Sequence, residues 1–77
     1  MQISFTKHTN VTVMHLMGDL DSTNYTDVVI KGQEVYKDGA RNLLLDLTKV
    51  AYVSSAGLMA FHTMARIFSG HSIEGKD

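Results

Sequence analysis

Two short stretches near the start of the chain carry the pattern of paired strands. Residues 3–6 alternate apolar and polar side chains, which is the period-two pattern of a half-buried strand. Val11 to Met17 is rich in β-branched and apolar residues and predicts a second strand, ending at Gly18-Asp19. Residues 8–10 (His-Thr-Asn) lie between the two and predict the turn of a hairpin, because Asn tolerates tight backbone geometry.

The spacing of apolar residues then changes to that of a helix. Asp21, Ser22 and Thr23 are all residues whose side-chain oxygens can cap a helix start. A stripe of apolar or small residues follows at helical spacing and predicts a helix from about Asn24 to Asp38, which Gly39 ends. The stripe consists of Tyr25, Val28, Val29, Gly32, Val35 and Tyr36.

A third strand and a second helix are predicted in the remainder. Asn42 to Leu47 contains three consecutive leucines, a pattern typical of a strand that is buried on both faces in the centre of a parallel sheet. Ser54 and Ser55 then precede a second helical stripe, which Gly70 is expected to end. That stripe consists of Leu58, Phe61, Met64, Ala65 and Phe68.

The order strand, strand, helix, strand, helix predicts an α/β fold. With a right-handed crossover, both helices lie on one face of a mixed β-sheet. The residues expected to be buried between the layers are Val28, Val35, Leu58, Phe61 and Ala65. No strand pattern follows the second helix, so either the polar tail from His71 to Asp77 is frayed or a C-terminal part lies outside this chain. An unpaired edge at Leu43 to Leu47 would then favour pairing with a second copy, that is, a homodimer.

Composition and charge narrow the classes of function. Apolar residues make up 44% of the 77-residue chain and charged residues 19%, as in ordinary globular proteins. The chain has no cysteine, which excludes disulfides and thiolate metal sites. A net charge of −1 argues against direct binding to nucleic acid or to an anionic membrane. No apolar run is long enough to cross a bilayer and no signal-peptide pattern opens the chain, so a cytoplasmic location is expected.

Three segments together resemble the STAS domain of bacterial anti-sigma factor antagonists. They are Val13 to Asp21 (VMHLMGDLD), Asn42 to Leu47 (NLLLDL) and Tyr52 to Leu58 (YVSSAGL). Each is weak singly, but their order and intervals match the family over nearly the whole chain. The resemblance implies one STAS-like domain over residues 1–77, corresponding to the N-terminal two-thirds of the family's fold.

The resemblance also implies a function and a site. In partner-switching members, a serine in the third segment is phosphorylated by the anti-sigma factor, which is a protein kinase. Aligning the glycine and leucine of that motif with Gly57 and Leu58 places the phosphoacceptor on Ser55. Ser54 stands where many members carry aspartate, and Ala56 where they carry serine or threonine. The expected partner-binding residues are Asp21, Ser54, Ser55, Ala56 and Gly57.

The physical chemistry of a helix start gives these residues a simpler reading as well. Ser54 is the more natural N-cap and Ser55 the first helical residue, so we assign capping to Ser54 and the switch to Ser55. Asp21 is expected to cap the first helix, and with Asp19 it lies at the sheet edge where functional loops gather.

The sequence alone leaves two other functions open. One is a regulatory STAS domain of a transporter or sensor complex, and another is a dimerisation module without a phospho-switch. The four histidines are spread over the chain without an i, i+4 pair, and there is no phosphate-binding loop motif. We therefore predict no catalytic residue, metal or cofactor, and expect a binding protein rather than an enzyme.

Overall fold

A computed structural model gives the fold of residues 1–69. The elements are β1 (Gln2–Lys7), β2 (Thr12–Met17), α1 (Tyr25–Lys37), β3 (Leu43–Lys49) and α2 (Ser55–Phe68). The predicted order of elements is confirmed. The expected helix stop at Gly70 lies outside the described residues, and α2 has Ser69 as its C-cap. Gly39 follows α1 with a φ of 112°, a conformation that glycine adopts without strain.

The three strands form one mixed sheet in the order β1-β2-β3. β1 pairs antiparallel with β2, placing Phe5 opposite Met14. β2 pairs parallel with β3, placing Met14 opposite Leu45. A parallel pair needs a crossover connection, and α1 supplies it between β2 and β3.

Both helices cover the same face of this sheet, as predicted. Alternate residues of β2 face the helices, and Met14 and Leu16 are completely or almost completely buried. Val28 of α1 and Ala60 of α2 lie in the same buried cluster. The two helices also pack closely on each other, since a Cβ built on Gly32 of α1 would lie 2.5 Å from the Sδ of Met64 on α2.

The predicted core is right for α1 and partly wrong for α2. Val28 and Val35 are buried and Phe61 is half-buried, but Leu58 and Ala65 are exposed. The residues that α2 buries are Gly57, Ala60 and Met64, at spacings of three and four. Helical periodicity alone does not choose between neighbouring stripes, and here the stripe that contains the small residues faces the core because it allows the helix to approach the sheet closely.

The prediction that β3 lies in the sheet centre, buried on both faces, is also wrong for the described residues. β3 pairs with β2 alone and forms an edge of the three-stranded sheet. Leu44 points away from the helices and is 57% exposed, because no element within residues 1–69 covers that face. The parallel pairing itself is confirmed, and pairing of this edge with a second copy stays a prediction.

Within residues 1–69, neither helix combines the length and the apolar character needed to span a membrane.

Candidate functional site: the start of helix α2

The polypeptide beyond β2 and the polypeptide beyond β3 meet again at one point. Leu20 and Val53 form an isolated parallel bridge outside the main strands. The Leu20 N–H donates to the carbonyl oxygen of Tyr52, and the Leu20 carbonyl accepts from the Ser54 N–H, both at 2.9 Å. Because the Leu20 side chain is completely buried, this bridge fixes the backbone just ahead of α2 against the core.

Ser54 and Ser55 divide the start of α2 as predicted. Ser54 is the N-cap, with extended backbone angles, and its Oγ accepts a hydrogen bond from the Gly57 N–H at 3.1 Å. This bond satisfies one of the amide groups that a helix start leaves without a partner. Ser55 is the first helical residue and is exposed. Within residues 1–69 its hydroxyl has no hydrogen-bond partner.

Gly57 allows α2 to touch the strand extension directly. A Cβ at this position would lie 2.9 Å from the Leu20 carbonyl oxygen, 2.9 Å from its Cγ and 3.0 Å from Cγ1 of Val53. The first of these contacts is with backbone, which cannot rotate away. A glycine is therefore required here for the helix start to sit where it does.

Asp21 lies beside this junction but does not cap α1. Its Oδ1 accepts hydrogen bonds from the Thr23 hydroxyl (2.6 Å) and the Thr23 N–H (2.9 Å). These two bonds lower the pKa of the Asp21 carboxyl. The N-cap position of α1 is Asn24, whose Oδ1 accepts from the Asp21 N–H and whose Nδ2 donates to the Asp19 carbonyl. The expectation of an Asp21 cap is thus wrong, because its carboxylate closes the turn that precedes the helix.

Three large apolar side chains within four residues of Ser55 in the sequence are exposed. Tyr52 is 58% exposed, and Leu58 and Met59 are each 57% exposed. Leu58 and Met59 are three and four residues after Ser55 and so share its side of the helix. We call Tyr52, Leu58 and Met59 the apolar collar. Sequence reasoning missed it, because Leu58 is predicted to be buried between the layers and no pattern marks Tyr52 as exposed.

The site offers exposed surface and hydrogen-bonding groups. In the described part of the chain, no three histidine or acidic side chains cluster as they would to hold a metal ion. Of the other predicted residues, Ala56 is half-buried and Gly57 buried. Position 56 carries only a methyl group and position 57 no side chain, so Ser55 is the exposed polar residue of the first turn of α2.

Known proteins place this arrangement in a family. The family model described as "Mlab, STAS domain" matches residues 3–73. The chain belongs to the STAS domain family. This confirms the resemblance drawn from the three sequence segments. No curated protein matches the chain significantly.

Solved structures agree with the STAS fold. An anti-sigma factor antagonist from Mycobacterium paratuberculosis superposes with a TM-score of 0.76 at 22% identity, covering 84% of this chain and 56% of that one. The anti-sigma factor antagonist SpoIIAA in its unphosphorylated form gives a TM-score of 0.71 at 14% identity, covering 90% of this chain and 64% of that one. The Bacillus cell fate determinant SpoIIAA in the phosphorylated form gives 0.70 at 14% identity, with the same coverage. The chain therefore spans between about half and two-thirds of the length of these structures.

Proposed function

We propose that this STAS domain is an anti-sigma factor antagonist. In its unphosphorylated form it binds an anti-sigma factor that is also a serine kinase, and it is released when that kinase phosphorylates Ser55. The protein is then a substrate and a binding partner, not a catalyst, and it acts in the cytoplasm on sigma-factor-dependent transcription.

The observation that carries the proposal is that Ser55 is exposed and that its hydroxyl has no hydrogen-bond partner within residues 1–69. Its neighbour Ser54 performs the capping, so the Ser55 hydroxyl is not needed to hold the helix. A hydroxyl that is exposed, has no partner within residues 1–69 and sits at the first position of a helix is accessible to a kinase. A phosphate there adds about 1.5 to 2 negative charges at neutral pH.

The location of that charge explains how binding could be lost without unfolding. The start of a helix carries the positive end of the helix dipole, which favours an anion. The charge would nevertheless lie in the same exposed region of the chain as the apolar collar, and a partner that covers the collar and Ser55 would have to remove it from water, at a large cost in free energy. The structure of SpoIIAA, which shares this fold, has been determined with and without phosphate, and that supports a fold that tolerates the modification.

The collar accounts for the affinity of the unphosphorylated form. Large apolar and aromatic side chains at the centre of an interface supply most of its binding energy. Each collar residue leaves more than half of its surface exposed, and a partner that covers all three would bury it. The residues expected to complete the contact are Asp21, Ser54, Ala56 and Gly57.

Binding measurements on matched variants test the proposal. Ser55→Ala should bind the anti-sigma factor with unchanged affinity and keep that affinity after incubation with ATP, because it cannot be phosphorylated. Ser55→Asp should bind at least tenfold more weakly while remaining folded, since the helix start accepts the charge. Ser54→Ala is the control and should still respond to ATP. Equal affinity of Ser55→Asp and the unmodified protein would contradict the proposal.

A regulatory STAS domain of a transporter or sensor complex is the second candidate. It is favoured by Ser54, which stands where many phosphorylated members of the family carry aspartate. Such a domain would use the same collar to dock but would have no need for a phosphate. This second candidate would be supported if the protein took up no phosphate but still bound a partner through Tyr52 and Leu58.

A further inference from the structure

On the sheet face opposite the helices, a chain of hydrogen bonds joins all three strands. The ring of His15 (β2) is 2.8 Å through Nδ1 from Oδ2 of Asp46 (β3) and 2.8 Å through Nε2 from the hydroxyl of Thr6 (β1). The other oxygen of Asp46 accepts from the N–H of Thr48 at 3.0 Å and from its hydroxyl at 2.7 Å. The Thr48 N–H, then His15 and then the Thr48 hydroxyl lower the pKa of the Asp46 carboxyl to about 2.

The hydrogen-bonding pattern fixes which groups donate. An ionised carboxylate only accepts, so the Nδ1 of His15 carries a proton and donates to Asp46. In the neutral ring Nε2 then accepts from the Thr6 hydroxyl. Each polar atom of the His15 ring is thereby used, and the ring is held between two strands.

This set of side chains sits where the parallel ladder changes register. His15 pairs with Asp46 but Met17 pairs with Lys49. Between these two pairs the chain advances by two residues in β2 and by three residues in β3. The extra residue forms a bulge at Leu47 and Thr48. Asp46 stabilises it directly, because its carboxylate holds both donors of Thr48, inside the bulge. Bulges bend a strand and commonly redirect the residues that follow it.

The residues that follow this bulge lead to the start of α2. The Gly18 N–H donates to the carbonyl oxygen of Lys49 at 3.1 Å, and the Leu20 N–H donates to the carbonyl oxygen of Tyr52 at 2.9 Å. The Leu20–Val53 bridge comes next. A slip of one residue reverses the face on which each side chain of a strand lies. Without the extra residue, Val53 would not meet Leu20, and Ser54 would not be positioned to cap α2.

We propose that Asp46 and His15 are positioning residues for the Ser54–Ser55 segment, and that they act by holding the bulge in β3. They do not touch Ser55, and their effect passes along the backbone from Thr48 to Val53. The two side chains are about one-third exposed, at 33% for His15 and 30% for Asp46. An exposed ion pair contributes little to global stability, so their main effect is local.

Amide hydrogen exchange, followed by NMR, tests this in the protein without any partner. Asp46→Ala removes the oxygen that accepts both Thr48 hydrogen bonds. It should speed exchange at the N–H groups of Leu20, Ser54 and Gly57 about tenfold relative to the amides of α1, as expected for the loss of hydrogen bonds to a charged group. Asp46→Asn keeps an oxygen for Thr48 and should restore near-normal exchange. This rescue distinguishes the hydrogen bond from the mere presence of a large side chain.

Val35→Ala is the matched control. It removes buried volume in the last turns of α1, far along the chain from the bulge, and should speed exchange in all elements together. If Asp46→Ala gives the same uniform acceleration, or none, the positioning role is wrong. Should Asp46→Ala fail to fold, Thr48→Val removes only the hydroxyl bond. It should give a smaller acceleration at the same three amides, and no acceleration there would also overturn the proposal.

The consequence for signalling rests on the proposed function. Asp46→Ala should slow phosphate transfer to Ser55, whereas Asp46→Asn should not. Hydrogen exchange is measured without a kinase or an anti-sigma factor. The positioning role of Asp46 and the phosphorylation of Ser55 can therefore be refuted independently of each other. Unchanged exchange refutes positioning, while altered exchange with no phosphate uptake in the unsubstituted protein refutes the switch alone.

Discussion

The two ends of α2 meet the rest of the molecule in different ways. Its first turn is fixed by the Ser54 cap, by the Leu20–Val53 bridge and by the contact of Gly57 with Leu20. Its second half instead lines an open apolar groove of about 170 Å³ with β3. The groove residues are Leu43, Leu45, Phe61, Met64, Ala65 and Phe68. The end that presents Ser55 is thus held by specific backbone contacts, and the other end leaves an open groove between itself and β3, the edge strand of the described sheet.

The difference shows what each end of the helix requires. The first turn depends on the missing side chain of Gly57 and on the hydrogen bond to Ser54, so changes at these two positions should be costly. In the second half Met64 is buried, but Ala65 is exposed beside the groove, so added apolar volume should be accepted at that position. Substitutions of similar chemistry at the two ends should therefore have opposite effects.

The largest effect is expected at Gly57. Gly57→Ala places a methyl group against the Leu20 carbonyl and should lower the free energy of unfolding by about 3 kcal/mol. Gly32→Ala is the comparison, because there the new methyl meets the Met64 side chain, which can shift, rather than backbone, and the gain in helix propensity of up to about 1 kcal/mol offsets part of the cost, so the loss should be smaller. Urea denaturation of both variants measures the difference. Equal stability of the two would show that the junction is not tightly packed.

A pair of alanines in α2 gives the next largest contrast. Ala60 is completely buried, and Ala60→Leu should destabilise the protein by about 2 kcal/mol through overpacking. Ala65 faces the groove, and Ala65→Leu should stabilise it by about 0.5–1 kcal/mol by covering apolar surface. Thermal unfolding of both variants tests this. Destabilisation by Ala65→Leu would mean that the groove is already filled.

The two serines at the start of α2 should differ by less. Ser54→Ala loses the bond to the Gly57 N–H and should cost about 1 kcal/mol. Ser55→Ala loses no hydrogen bond within residues 1–69 and should change the free energy of unfolding by less than about 0.5 kcal/mol. Chemical denaturation resolves these values. The reverse order would show that Ser55 is the cap.

The smallest effect concerns acid stability. The pKa of Asp46 falls from 3.8 to about 2 in the folded protein, chiefly because the Thr48 N–H donates to its carboxylate. A carboxyl with a lowered folded-state pKa stabilises the fold above its unfolded pKa, and this contribution is lost as the pH falls through the folded value. Between pH 4 and pH 2 the unsubstituted protein should therefore lose more stability than Asp46→Asn. Acid titrations followed by circular dichroism measure this difference. An equal loss of stability in the two proteins would contradict the role given to Asp46.

Much of the fold could be predicted from the sequence because its patterns are local. The alternation around Phe5, the stripe from Tyr25 to Tyr36 and the serines before α2 each determine an element without reference to the others. The buried face of α2 could not be predicted, because it depends on how near Gly57 and Ala60 allow the helix to approach the sheet. The distance between the helix and the sheet depends on how the layers pack, and the periodicity of apolar residues carries no information about it.

The candidate site divides in the same way. Ser54 as the cap follows from one residue type at one position, and the structure confirms it. The link between His15 and Asp46 could not be predicted, because these residues are far apart in the chain and meet only when β2 and β3 pair in one particular register. The phosphorylation of Ser55 stays a prediction, since it depends on a partner.

Intact-mass analysis after incubation with the anti-sigma factor kinase and ATP tests the central claim most directly. The unsubstituted protein and Ser54→Ala should each gain the mass of one phosphate, and Ser55→Ala should gain none. Uptake by Ser55→Ala but not by Ser54→Ala would place the phosphoacceptor one residue earlier. No uptake by the unsubstituted protein, or equal uptake by all three, would contradict the assignment of the switch to this helix start.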